Sequence, residues 1–208
     1  MFITFEGCEG SGKTSVLKRV IEELEKSHLP VLSTREPGGS RIAEEIRNII
    51  LDKKNIEEDP RTEALLYAAA RRQHLVEIVI PALKEGKIVL SDRYLDSSLA
   101  YQGYARGIGI DEVFSINAFA IDKTFPDLTF YLDLAPEKGL ERIEKNKDRE
   151  VNRLDVEKLS FHKKVYEGYA LLLKKYPERI VRIDASQTVE EETEEIVSII
   201  KKRLSKDE

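Results

Sequence analysis

The chain has 208 residues, with 34 Lys plus Arg against 39 Asp plus Glu, a formal charge of -5, 41% hydrophobic residues and 35% charged ones. A chain this long buries roughly 70% of its unfolded surface, so one well-charged globular domain spanning 1–208 can build a core, and the composition excludes a disordered chain. The single cysteine, Cys8, excludes an internal disulfide framework and a zinc site of paired cysteines; the mild acidity argues against a dedicated nucleic-acid binder, and no run approaches the roughly 18 apolar residues of a membrane span.

The first strand is expected over 2–6. Its surroundings lack the basic and long apolar stretches of a secretory signal, which places the protein in the cytoplasm. Directly after it, Gly7-Cys8-Glu9-Gly10-Ser11-Gly12-Lys13-Thr14 fits G-x-x-x-x-G-K-[ST] and opens a helix over 12–27, on which Val16, Leu17, Val20, Ile21 and Leu24 line one face. Strand, loop and helix in that order are the context that a phosphate-binding loop requires. The glycines let the backbone wrap closely, so that N–H groups along Gly7, Glu9, Gly10, Ser11 and Gly12 can point at the phosphates of ATP, aided by the positive end of the helix. Lys13 would reach the β and γ phosphates, and the Thr14 hydroxyl would hold Mg²⁺. The glycines run G-x-x-G-x-G, the wrong order for a dinucleotide fingerprint, which disfavours an oxidoreductase. Cys8 reads as a small filler of a free loop position.

A second strand follows at 31–34, leading to Arg35, and then a helix at 42–51. Asp59 before Pro60 starts a helix that runs to about Leu83, because proline's preset φ and missing N–H suit a first turn. The strand at 88–91 ends in Ser91-Asp92-Arg93, which supplies the carboxylate needed to hold Mg²⁺ through water beside the phosphate loop. Further helices are expected over 110–121, 136–145, 155–175 and 189–204, with strands at 128–134 and 180–183. Residues 145–153, with almost no apolar content, read as a surface lid. The acidic run at 190–195 reads as complementing a helix dipole on a solvated face. His28, His74 and His162 are scattered and read as ordinary helix or surface residues. Strands alternating with helices give an α/β fold with a parallel sheet covered on both faces.

The sequence argues against a GTP switch, since no Asp has Gly three residues later and Asn146-Lys147-Asp148-Arg149 puts Arg where the final Asp belongs. What remains is a supply of arginines near the expected crevice: Arg35, Arg47, Arg71 and Arg93, with Arg149 and Arg153 in the lid. Arginine grips phosphate oxygens in pairs. A loop for one phosphate chain and separate arginines for another point to two phosphorylated substrates, and hence to a nucleotide kinase. Two rivals remain, a nucleoside kinase and a non-catalytic nucleotide-binding regulator.

The matching segments Phe5 to Thr14, Thr34-Arg35-Glu36-Pro37-Gly38-Gly39, Asp92-Arg93-Tyr94-Leu95-Asp96-Ser97-Ser98 with Ala100-Tyr101-Gln102-Gly103, Pro126-Asp127-Leu128-Thr129 and Asn152-Arg153-Leu154-Asp155 closely resemble the thymidylate kinase family over nearly the whole chain. The resemblance implies the P-loop nucleoside monophosphate kinase fold, with a five-stranded parallel sheet in the order 2-3-1-4-5. It also implies a homodimer built on helices and transfer of the γ-phosphoryl group of ATP to dTMP with Mg²⁺, giving dTDP and ADP in dTTP biosynthesis. Carried over by position, Glu9 approaches the sugar 3'-hydroxyl of dTMP, Arg93 takes its phosphate and Tyr67 stacks on thymine. Arg71 lies at i+4 from Tyr67, so both share a helix face. Ser98 and Gln102 match positions beside the base, Tyr101 crowds the sugar's 2' position, and Glu36 and Arg47 line the phosphate pocket. The family places an assisting arginine in the phosphate loop or in the lid; the loop here has none, so the resemblance assigns the role to Arg153 or Arg149. The turn 184–187 falls near adenine on the same grounds.

Overall fold

The computed structural model describes residues 1–145 and 153–207. Five strands, β1 (Phe2–Glu6), β2 (Val31–Arg35), β3 (Ile88–Asp92), β4 (Leu128–Asp133) and β5 (Ile180–Asp184), form one all-parallel sheet in the order β2-β3-β1-β4-β5. This is the order that the resemblance implies. β1 is central, with Phe5 opposite Asp92 of β3 on one side and Phe130 of β4 on the other. Each parallel step needs a crossover, and helices supply it on both faces.

Alternation along β1 splits the core into two layers. Ile3 and Phe5 pack with Val16, Leu17, Val20 and Leu24 of α1 (Lys13–Lys26) and with Ile196 and Ile200 of α9 (Val189–Asp207). Phe2 faces the other way, into a cluster with Leu75, Val79, Tyr94, Leu99, Val113, Tyr131, Val165 and Tyr169. That layer is built by α3 (Pro60–His74), α5 (Leu95–Ser98), α6 (Ile110–Ile121) and α8 (Leu159–Lys175). Helices α2 (Arg41–Leu51), α4 (Ile80–Lys84) and α7 (Pro136–Lys145) complete the set among the described residues.

The helix expected from Asp59 onward forms as anticipated at its start: Asp59 accepts from the N–H groups of Arg61 at 2.9 Å and Thr62 at 3.1 Å, with Pro60 in the first turn. Its later part passes through a π-helical stretch, Leu75–Val79, before α4. Two departures lie near the site. The stretch after β3 is helical, α5 followed by a π-helical Leu99–Ala105, where no helix was expected. The helix expected from residue 155 starts at Leu159, preceded by a 3-10 turn at Arg153–Val156.

At the start of α9 the acidic run is not uniformly solvated. Thr188 and Glu191 form a capping box, the Thr188 N–H reaching Glu191 Oε2 at 3.0 Å and the Glu191 N–H reaching Thr188 Oγ1 at 3.3 Å. Glu192, however, is buried, and its Oε2 has no hydrogen-bond partner. Burial pushes its carboxyl up to about 7 against the opposing pull of Arg142. A folded-state value above the unfolded one means that the carboxyl is ionised at a cost in the folded protein, and its contribution to stability is lost as pH rises from about 4.5 to about 7. Glu192→Gln is therefore expected to be near neutral at pH 4.5 and to stabilise the protein by on the order of 1 kcal/mol at pH 8. Urea unfolding at both values checks this, and a gap independent of pH would contradict it.

Candidate active site

The carboxyl ends of β1, β2 and β3 open into a cavity of about 730 Å³. Its wall includes Glu9 to Ser15 of the loop and first turn, Glu36, Arg35 and Arg47 on one side, Tyr67 and Arg71 of α3, and Asp92, Arg93, Tyr101 and Gln102 after β3. The crevice thus lies where strand order reverses about β1, the usual ligand position in such sheets.

The loop is shaped by close backbone approach. Gly12, at φ 91, caps α1, and Gly10, at φ 73, sits where a Cβ would strike the carbonyl of Gly139 on α7. Lys13 folds back over the loop, its Nζ donating to the carbonyls of Gly7 at 3.0 Å and Cys8 at 3.1 Å and to Ser11 Oγ at 3.3 Å. Burial, reinforced by the charge of Arg93, holds its ammonium below lysine's usual range. Cys8 is buried, and burial pushes its thiol up to about 12, so it is inert filler rather than a reactive group. Thr14 Oγ1 donates to Asp92 Oδ2 at 3.2 Å, which sets a hydroxyl and a carboxylate side by side at the cavity wall next to Lys13. That pair suits a divalent ion. Among the described residues no group of three or more His, Cys, Asp or Glu could hold one alone, which fits an ion carried largely by substrate phosphates and water.

Arg93 occupies left-handed backbone, φ 69, held by its N–H on the Phe5 carbonyl at 2.9 Å and by Ser91 Oγ donating to its carbonyl at 2.8 Å. Its Nη2 donates to Glu9 Oε1 at 2.8 Å, and the Tyr101 hydroxyl donates to the same oxygen at 2.9 Å. The Arg93 guanidinium also lies over the Tyr101 ring, 5.0 Å from its centre. Glu9, Arg93 and Tyr101, all singled out in the sequence, form one cluster.

Arg71 is buried. Its Nε donates to Glu36 Oε2 at 2.7 Å, Nη1 to Ser98 Oγ at 3.1 Å and to Asn117 Oδ1, and Nη2 to the Tyr94 carbonyl at 2.9 Å. Ser98 therefore lies one layer behind the cavity, acting on Arg71. Glu36 Oε1 also meets His74 Nδ1 at 2.9 Å, and His74 Nε2 meets Thr34 Oγ1 at 2.6 Å. This corrects the ordinary role expected of His74; His162 is likewise buried, whereas His28 is exposed.

Gln102 donates to Glu63 Oε1 at 2.8 Å, and Arg106 and Arg153 bind the same carboxylate. Arg153 is buried there, with Nε on the Ile50 carbonyl at 2.9 Å and Nη2 on Glu63 and on Glu58 at 2.5 Å, so it stands behind the cavity wall rather than on it. Arg149 lies outside the described residues. Arg142 of α7 was not singled out; it lines the cavity and donates to the Ala185 carbonyl at 3.1 Å, within the turn expected near adenine. Glu63 was also missed, although its i+4 spacing to Tyr67, repeated to Arg71, carries the signal.

The family model described as Thymidylate kinase matches residues 5–196. The chain belongs to the thymidylate kinase family. It is 62% identical over 200 residues to a thymidylate kinase of Clostridium novyi, covering 96% of this chain and 98% of that protein, and 59% identical over 206 residues to that of Bacillus velezensis, covering 99% and 97%. The crystal structure of thymidylate kinase from Ehrlichia chaffeensis superposes with a TM-score of 0.78 at 32% identity, covering 97% of this chain and 98% of that one. Among the described residues no helix is long and apolar enough to cross a membrane.

The Arg71–Glu36 pair is buried on both sides, so deleting one partner strands the other charge. Glu36→Ala is expected to cost about 3–5 kcal/mol in urea unfolding. A loss below about 1 kcal/mol would show that the pair is not desolvated as its burial indicates.

Proposed function

We propose that the chain transfers the γ-phosphoryl group of ATP to dTMP, giving dTDP and ADP on the way to dTTP, through the residues gathered at this cavity. One observation carries the assignment of roles: a phosphate loop and a second set of arginines face the same space. The loop amides from Gly7 to Thr14 and Lys13 take the phosphates of ATP, with Arg142 beside the adenine. Arg93, with Arg47 and Glu36 beyond it, takes the phosphate of dTMP. Glu9 meets the 3'-hydroxyl, Tyr67 stacks on the base, Arg71 and Gln102 meet its edge with Ser98 behind, and Tyr101 closes the space at the sugar's 2' carbon. Thr14 and, through water, Asp92 would hold Mg²⁺, which supplies charge neutralisation at the phosphate oxygens when bound.

The acceptor is a phosphate monoester with a second pKa near 6, so at neutral pH its oxygen is mostly ionised and no general base is needed. The carboxylates of the cavity are committed to Thr14, Arg71 and Arg93. Their work is positional. Arg153 is the described candidate for the arginine that assists transfer, and it reaches the phosphoryl group only by exchanging Glu58 and Glu63 for phosphate oxygens. A coupled assay of ADP release across nucleoside monophosphates and thymidine tests this function. Turnover should be greatest with dTMP, require a divalent ion and fall at least about a hundredfold in Lys13→Ala; preference for thymidine would return the chain to the nucleoside kinases.

The family resemblance also implies a homodimer, and the surface supports one. Packed helices α2, α3 and α6 carry exposed Ile42, Ile49, Leu65 and Phe119, the last 92% exposed. Such a patch marks an association surface. We read this face as the homodimer interface. Phe119→Asp should shift the sedimentation of the protein from dimer to monomer at micromolar concentration, and an unchanged dimer would place the interface elsewhere.

A further inference from the structure

The sequence of β1 is Phe2-Ile3-Thr4-Phe5-Glu6, and the strand is covered on both faces. A carboxylate there is costly unless fully hydrogen-bonded. Glu6 is 0% exposed and is fully engaged. Its Oε1 accepts from the Tyr94 N–H at 2.8 Å, and its Oε2 accepts from Ser97 Oγ at 2.5 Å and from the Tyr169 hydroxyl at 2.8 Å.

Those two hydroxyls commit their protons to Glu6. The two hydroxyl oxygens also lie 3.0 Å from each other; with both protons on Glu6, each can only accept, and Arg93 supplies the donors, its Nη1 reaching Ser97 Oγ at 3.1 Å and the Tyr169 hydroxyl at 3.4 Å, as well as the Gly7 carbonyl at 3.1 Å. The Tyr169 ring is itself clamped, stacked on Tyr131 at 4.8 Å and edge-on to Tyr101 at 6.3 Å. Neutral hydroxyls alone could turn either way. The carboxylate below sets their direction.

We infer that Glu6 is a positioning residue for Arg93: acting through the Ser97 and Tyr169 hydroxyls, its carboxylate fixes the guanidinium in the orientation that receives the phosphate of the nucleoside monophosphate. The inference rests on the assignment of Arg93 to that phosphate. Burial and the neighbouring Asp96 push the Glu6 carboxyl up to about 7, so the ionised form is costly here, and Arg93 with the two hydroxyls supplies the opposing pull that favours it.

The test is the ratio of dTMP to thymidine affinity, measured by calorimetry, because thymidine lacks the group that Arg93 grips. In Glu6→Gln the amide must face one of its three donors with a donor of its own. That variant should lose about tenfold in dTMP affinity while thymidine affinity and the KM for ATP stay within about twofold. Ser97→Ala combined with Tyr169→Phe should reproduce the loss, and adding Glu6→Gln to that pair should cost no more than about twofold further. An unchanged dTMP to thymidine ratio in Glu6→Gln, or losses that multiply in the triple variant, overturns the inference. Should Glu6→Gln fail to fold, the hydroxyl variants decide: each must weaken dTMP and spare thymidine, and a loss shared by both ligands is a contrary result. If the native protein itself does not prefer dTMP to thymidine, the assignment of Arg93 fails first, and the inference with it.

Discussion

A site for two polyanions has to fold before either anion arrives, and unpaired cations at the end of a buried sheet would repel one another at low dielectric. Several arginines near the crevice are therefore parked on carboxylates, Arg93 on Glu9, Arg71 on Glu36, Arg153 on Glu58 and Glu63, and Arg179 on Asp96, whereas Arg47 and Arg142 rest on the carbonyls of Pro37 and Ala185. Lys13 rests instead on loop oxygens that carry no full charge, and burial together with the nearby charge of Arg93 holds its pKa below the usual lysine range. This arrangement is what lets transferring phosphoryl oxygens meet donors already aimed, with little reorganisation left for the moment of reaction.

The pairs differ in worth. Exposed ones such as Arg41–Glu45 are solvated and contribute about 0–1 kcal/mol. Arg71–Glu36 is desolvated on both sides, so its attraction is largely offset by the cost of burial, and its value lies in geometry: four hydrogen bonds hold the Arg71 guanidinium to one orientation. Arg93 adds backbone strain of about 1–3 kcal/mol at its left-handed position. That conformation turns the chain sharply at the end of β3, which brings the side chain across to the loop after β1.

The strands, the phosphate loop and most helices were legible because each follows from a local rule: period two, period 3.6, or a glycine spacing. The helix at 95–105 was not, since α5 is four residues long and the π-helical stretch after it shifts the side-chain register away from 3.6. Glu63, His74 and Glu6 were missed for a common reason. A charged residue on a buried face reads as an interruption of the hydrophobic pattern until its partner is known, and those partners lie 38 to 163 residues away in the chain, from His74 to Glu36 at the near end to Tyr169 and Glu6 at the far one. The approach of Gly139 to Gly10 is likewise tertiary, and nothing in the sequence around either glycine announces it.

Arg153 shows where resemblance stops and geometry begins. Its motif aligns it with the arginine expected to assist transfer, yet it sits on Glu63, the same carboxylate that binds Gln102 beside the expected base. The two side chains thus share a partner, and Arg106 competes for it as well. A cation moving from a buried carboxylate to a phosphate exchanges one desolvated anion for another, so the electrostatic difference between its two positions is smaller than either interaction alone. In the proposed role of Arg153, Glu63 would therefore hold its charge while the γ-phosphoryl group is absent, and the exchange onto phosphate would be nearly balanced rather than uphill.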